Sequence, residues 1–251
     1  MALVKRDFYI SRSNMMAFLA GLPAQAMDAV TLYLPPGLTP DKVGYYLHAA
    51  IGGDIPSGLA ETASSSRTGS CLFWGPVKRL VLPPFPVKDS AIFPGYIIGS
   101  LASLLEQDRS IALVLVRLGA YALGVCRGET LLTSKVGTGL IHGRHKKGGS
   151  SQQRFQRHRE KQIEQFLVKV CERVQEHIGP YLDSLDHAVY GGAWTTIELL
   201  KKRCPSLRRL EDRTLPPLLE IPLPKQAVLE AAIRRIWASH IVEWQEEDLP
   251  G

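Results

Sequence analysis

The sequence predicts an α/β protein of two lobes, and three observations carry that prediction. Ile111–Leu118 (IALVLVRL) is a nearly continuous apolar run, as expected of a strand covered on both faces. His187–Tyr190 leads through Gly191-Gly192 into a helical stretch at Thr195–Arg203, and Leu218–Leu223 leads into another at Lys225–Trp244. Strand followed by helix, twice, argues for a layered sandwich with a partly parallel sheet. At 251 residues the chain exceeds one typical domain, and Pro83, Pro84 and Pro86 mark a margin. The expected division is a smaller α+β lobe over 1–105 and a second lobe over 106–251.

In the first lobe, Ala29–Leu34 (AVTLYL) has strand composition and stops at Pro35-Pro36-Gly37, ahead of a short helix at Asp41–Ala50. Ile51–Gly69, rich in Gly, Ser and Thr, reads as a loop. Cys71–Phe73 and Val77–Leu82 read as strands paired around Trp74-Gly75-Pro76. In the second lobe, Tyr121–Cys126 and Glu129–Lys135 flank Arg127-Gly128 as a hairpin pairing with the central strand. From Gln152 the pattern turns helical, with Ile163, Phe166, Leu167, Val170, Cys171, Val174 and Ile178 at three- and four-residue steps before Gly179-Pro180. Its first part, Gln152–Gln162, has Phe155 as its one large apolar residue and is expected to project. Leu229, Ile233, Ile236 and Trp237 mark a core-facing helix near the end of the chain.

The four cysteines, Cys71, Cys126, Cys171 and Cys204, form no CxxC pair, so buried reduced thiols are expected rather than a metal site or a disulfide scaffold. The N-terminal stretch lacks the apolar core of a signal peptide, and no run approaches the ~20 apolar residues of a membrane span. A soluble cytoplasmic protein is expected. The net charge of +6 is concentrated: Arg144–Lys161 holds seven cations against the single acid Glu160, a local +6 that equals the whole chain's excess. A polyanionic partner follows from that placement more than from the total.

Six of the seven cations lie in Gly137–Arg159, which shows no apolar period, contains five glycines and joins the hairpin to the long helix. Glycines permit close backbone approach to a ligand, a helix start presents free N–H groups to anions, and arginines and lysines neutralise phosphates.

Within this loop Gly148-Gly149-Ser150-Ser151-Gln152-Gln153 resembles the catalytic loop of the eukaryotic and archaeal peptide-chain release factors, which carry Gly-Gly-Gln at a comparable place. The likeness is closer to the Vms-type branch of that superfamily, proteins that release peptidyl-tRNA on stalled ribosomes, whose Gly-Gly-Ser-Gln-like loop precedes an arginine-rich helix. It covers Ile111 to Trp244, with the apolar strand, Gly119–Gly124, Lys135, the basic loop and the helix in the family's order. The resemblance implies a ribonuclease H-like release-factor middle domain over 106–251, preceded by the smaller α+β lobe. It implies a ribosome-rescue factor that frees nascent chains on stalled ribosomes or large subunits, by ester hydrolysis or by tRNA 3′-end cleavage. Gln152, then Gln153, are the catalytic candidates with Gly148 and Gly149; Arg144, Lys146, Lys147, Arg154, Arg157, Arg159 and Lys161 are the RNA-binding candidates. The implied partners are the large ribosomal subunit at its peptidyl-transferase centre and peptidyl-tRNA, with no cofactor, no metal and no membrane. The absence of coiled-coil heptads suggests a monomer. Two serines separate the glycines from the glutamine, and the chain lacks the zinc-finger cysteines and ankyrin repeats of eukaryotic Vms-type proteins. With no codon-reading motif recognised in the first lobe, rescue fits better than stop-codon termination.

A carboxamide accepts no proton at neutral pH, so Gln152 is expected to position water and, with neighbouring N–H groups, stabilise an oxyanion. Cleavage of the RNA strand would instead need proton shuttles, for which His142, His145 and His158 are the candidates. Ser150 and Ser151 are expected to cap the helix. A competing reading is a non-catalytic adaptor of ribosome quality control that only binds ribosomal RNA. A small-molecule hydrolase lacks a nucleophile elbow or a metal set.

Overall fold

The computed structural model describes residues 2–23, 26, 28–141 and 150–247. The chain divides into two compact units, Met1–Gln107 with Arg234–Gly251, and Asp108–Ile233. In chain order the elements are β1 (Ala2–Ile10), α1 (Arg12–Ala20), β2 (Val30–Leu34), α2 (Pro40–Ile51), α3 (Leu59–Ser65), β3 (Ser70–Trp74), β4 (Arg79–Leu82), β5 (Ala91–Pro94) and α4 (Gly99–Glu106). There follow β6 (Ser110–Arg117), β7 (Ala120–Arg127), β8 (Thr130–Thr138), α5 (Ser150–His177), β9 (His187–Gly192), α6 (Trp194–Arg203), α7 (Pro205–Arg208), α8 (Gln226–Ile236) and β10 (Ser239–Glu247).

The first unit is built on one antiparallel sheet in the order β1-β10-β4-β3-β2-β5. Its strands alternate between two cores, as a period of two requires when both faces are covered. Tyr33, Cys71, Val81 and Ile241 pack with Met15 and Leu19 of α1 and Leu101 and Leu105 of α4. Leu32, Leu34, Leu72, Leu80, Val242 and Trp244 pack with Val43 and Leu47 of α2 and Leu59 and Ala63 of α3. Arg12 closes the end of α4, donating to the carbonyls of Leu105 (2.7 Å) and Glu106 (2.9 Å) while its guanidinium lies 4.3 Å from the Trp237 ring centre. Arg79 likewise lies over Phe18 and donates to the buried Glu243 at 2.6 Å, so that carboxylate is paired where it leaves water.

Three expectations are corrected here. Residues 239–247 are a strand, not the continuation of a helix to Trp244. The helical spacing of Leu229, Ile233 and Ile236 ends at Trp237, after which Ile241 and Val242 face opposite cores in turn. That strand lies between β1 and β4, so the end of the chain joins the first unit rather than the 106–251 lobe expected for it. The Gly/Ser/Thr-rich stretch carries α3, held by the burial of Leu59 and Ala63.

The second unit has a four-stranded sheet in the order β8-β7-β6-β9, with β6 antiparallel to β7 and parallel to β9. Ala112, Val114, Val116, Tyr121, Leu123, Val125, Ala188 and Tyr190 point into a core shared with α5 and α6. Ile111, Leu113 and Leu115 fill the opposite face and are fully buried, which is why the β6 sequence shows no alternation. The strand expected at Leu218–Leu223 is reduced to one isolated parallel bridge, Gly191 to Leu219, with a second bridge, Ala188 to Thr214, ahead of it. Pro216, Pro217 and Pro222 supply no N–H to a ladder there.

His187, at the start of β9, has a pKa below its ordinary 6.5, held down by burial first and then by Arg109, with Asp186 and a backbone hydrogen bond at Arg213 opposing. The unfolded chain therefore binds this proton more readily than the folded one. The stability due to the neutral ring is complete above 6.5 and declines as pH falls through that value toward the lowered one. Urea midpoints should fall between about pH 7 and about pH 5, and His187→Gln should flatten that part of the dependence. An unchanged slope in the variant would assign the loss to other groups.

Candidate functional site

Strand β8, at the edge of its sheet, delivers the chain to the basic region. Two glycines at its end are required by packing. A Cβ at Gly137 would overlap the Tyr121 hydroxyl and ring, and one at Gly139 would lie 2.6 Å from Phe166 Cδ2. Tyr121 and Phe166 are both buried, with ring centres 6.2 Å apart. The Gly139 N–H donates to the Gly119 carbonyl at 3.0 Å, and Lys169 Nζ of α5 donates to the Thr138 carbonyl at 3.1 Å. Two of the segment's five glycines thus serve the protein's own interior. Glycines two apart at a strand's end share one face, and that spacing is the signal that could have marked them as packing residues.

Helix α5 has 28 residues, about 42 Å at 1.5 Å per residue. Its buried side chains are Phe166, Leu167, Val170 and Val174, with Ile178 just beyond its end, and Ile163 packs against the same core from a partly buried position. Gln153 to His158 are all exposed, as are Glu160 and Lys161, whereas Arg159 and Gln162 are half-buried. Thirteen residue steps separate Ser150 from Ile163, so roughly 20 Å of helix precedes that residue. Arg154, Arg157 and Lys161 are exposed on that stretch, and Arg159 lies half-buried among them. Its one acid, Glu160, accepts from Gln156 Nε2 at 3.0 Å, and His158 Nε2 lies 3.3 Å from Gln162 Nε2.

Gln152 is the third residue of the helix and Gln153, exposed, the fourth. The first turn contains no acidic residue, and its N–H groups have no acceptor within the helix. The helix begins two residues before the expected start, so Ser150 and Ser151 are its first helical residues rather than caps of a helix opening at Gln152. Arg144, Lys146, Lys147, Gly148 and Gly149, with His142 and His145, lie outside the described residues. The structure therefore brings Gln152, Gln153, Arg154, Arg157, Arg159 and Lys161 onto one helical segment.

Elsewhere the chemistry is quiet. Among the described residues no group of three or more His, Cys, Asp or Glu is placed to hold a metal ion. The four cysteines are free thiols, and burial pushes Cys126 and Cys204 up to about 12, far from reactivity as thiolates. No described helix is long and apolar enough to cross a membrane.

Gly139→Ala and Gly137→Ala should each lower the unfolding free energy by about 1–3 kcal/mol, the usual range for overpacking. Leu140→Ser, one residue further at an exposed side chain, should change it by less than about 0.5 kcal/mol. Urea denaturation of the three variants measures both.

The model of the Actinobacteria/chloroflexi VLRF1 release factor family matches residues 109–242, a little over half of the chain. Peptide chain release factor subunit 1 of Archaeoglobus fulgidus is 28% identical over 128 residues, which cover 49% of this chain and 30% of that protein. The same factor from Aeropyrum pernix is 29% identical over 85 residues, covering 34% and 23%. The matched segments thus span under a third of these curated relatives. Among solved structures, the crystal structure of an archaeal translation termination factor is similar at a TM-score of 0.38 and 18% identity, over 90% of this chain and 73% of that one.

Proposed function

The chain belongs to the Actinobacteria/chloroflexi VLRF1 release factor family, and from that membership we propose that it frees nascent chains from peptidyl-tRNA on stalled ribosomes or isolated large subunits. The observation that carries the reading is α5, whose first turn holds Gln152 and Gln153 ahead of a cationic stretch in which Gln153–His158, Glu160 and Lys161 are exposed. Such a projection can enter a space walled by RNA while the rest of the domain stays outside.

Phosphate is the natural partner of the exposed guanidinium groups of Arg154 and Arg157 and the ammonium of Lys161, and the loop cations Arg144, Lys146 and Lys147 would extend the same contact. The glycines at 148 and 149 carry no side chain to hold the backbone away from an ester. Gln152 would orient the attacking water through its carboxamide, and N–H groups at the start of the helix would stabilise the charge that develops on the ester oxygen. No group proposed here removes the proton from water. That step falls to the RNA surroundings or to solvent, and the account needs no metal from this chain.

Incubating the protein with ribosomal complexes that hold a labelled peptidyl-tRNA, and sizing both the peptide and the tRNA 3′ end, tests the proposal. The wild type should release peptide and leave the tRNA full-length. Gln152→Ala should still bind but release at least ~10²-fold more slowly, the scale of a lost oxyanion or water-positioning contact. Arg154→Ala and Arg157→Ala should weaken binding and each lower the salt slope by about one unit. A shortened tRNA would move the chemistry to the phosphodiester and to the histidines. Intact peptidyl-tRNA on complexes carrying bound wild type would leave the RNA-binding adaptor in place of the enzyme.

A further inference from the structure

Four large apolar side chains leave the second sheet at one end and are exposed there. β6 and β9 run parallel with Val116 opposite Gly192, so Leu118 and Trp194, each two residues further on, follow the same end of the sheet. Leu140 follows Gly139, which is tied to Gly119 in the turn after Leu118. Leu223 follows Ile221, whose carbonyl accepts from Arg117 Nη1 at 2.9 Å on the far side of β9. The row Leu140, Leu118, Trp194, Leu223 thus follows the ends of β8, β6 and β9 and of the segment bridged to β9 at Leu219.

Trp194 stands out within the row. It is 62% exposed, whereas Trp237 and Trp244 are buried and Trp74 is half-buried. Gly192, with φ of 120°, turns the chain where any Cβ would overlap the Val116 carbonyl, and this turn sets Trp194 at the first position of α6. Arg117 passes beneath the same turn: its Cγ lies 3.5 Å from where a Gly192 Cβ would be, and its guanidinium is fixed by Ile221. The strand end that carries Leu140 is the one clamped to Phe166, from which the cationic part of α5 extends.

An exposed indole two residues beyond the turn that covers Arg117, at the sheet end where β8 is clamped to α5, is chemistry that can receive unpaired nucleotides. The ring stacks a base, and the cations take the phosphates on either side. A protein partner would be expected to meet such a row with an apolar surface, and would have no use for the adjoining cations. We propose that the row is a stacking platform for single-stranded RNA, with Trp194 as the stacking ring and Arg117 as a phosphate contact. It deepens the reading given under the proposed function and rests on it for the class of partner.

The test is titration of the full chain with a short unpaired RNA and with a duplex of equal length, reading tryptophan emission together with the anisotropy of a labelled strand. Unpaired RNA should quench the emission of the wild type. Trp194→Leu, which keeps apolar bulk at an exposed site, should abolish the quench and weaken affinity for unpaired RNA roughly ten-fold, with its thermal midpoint unchanged. Trp194→Phe should recover most of that affinity, and the duplex should bind all three proteins alike. Equal affinity of unpaired RNA for wild type and Trp194→Leu would overturn the platform. If ribosome binding alone then fell in Trp194→Leu, the row would be a protein-docking face. Peptide release by the same wild-type preparation separates the two readings. Release without any dependence of RNA affinity on Trp194 overturns only the platform, and a Trp194-dependent affinity without release overturns only the hydrolytic reading.

Discussion

Where β8 leaves its sheet, Gly137 and Gly139 lie against the rings of Tyr121 and Phe166 with no room for even a methyl group. This contact ties the last residues of the strand to the point at which α5 becomes core, and Lys169 ties the intervening carbonyl to the same helix. Before Ile163 the described residues of α5 are exposed or half-buried, and the helix is buried in the core only from Phe166 onward. A segment as polar as Gln152–Gln162 would be a marginal helix by itself, because the first turn of a helix is costly and a dozen residues barely offset it. Here the nucleus is the buried half, from Phe166 to Val174, and the exposed half continues a helix that is already formed.

That arrangement carries a local conflict. Cations near a helix start face the positive end of the helix dipole, a placement disfavoured by about 0.3–1 kcal/mol for each group in the first turn and less beyond it. The first turn, Ser150–Gln153, is uncharged, and Arg154, Arg157, Arg159 and Lys161 follow it with Glu160 as the one acid before Ile163. A chain selected only for stability would put carboxylates there. Departures of this kind, where local preference and structure disagree, are expected at sites that meet a partner, and an anionic partner removes the conflict.

What the sequence made legible follows from how far each element depends on distant neighbours. β6 was readable because burial on both faces leaves a continuous apolar run. The core half of α5 was readable because Phe166, Leu167, Val170 and Val174 keep helical spacing against one surface. β10 was not, because its partners lie at the other end of the chain: Ala2 pairs with Glu247 and Ile10 with Ser239. No local pattern announces such a pairing, and the spacing of α8 ran on plausibly through Trp237 into the strand. The excess positive charge of this helical stretch was legible from the sequence, since Arg154, Arg157 and Arg159 lie on a segment with one acid. The roles of Gly137 and Gly139 were not, because a glycine looks the same whether a ligand or the protein's own aromatic ring comes close to it.

The central claim is that α5 is buried in the core over its later turns, from Phe166 to Val174, and meets RNA with the exposed cationic part before Ile163. It is tested most directly by placing a photoreactive side chain at Arg157 or, on the supported half, at Val168, which is also exposed, and irradiating the protein bound to peptidyl-tRNA-bearing ribosomal complexes. The account predicts crosslinks to tRNA or ribosomal RNA from position 157 and few from 168. RNA crosslinks from 168 with none from 157 would contradict it, because the RNA would then lie against the body of the domain rather than along its projecting helix.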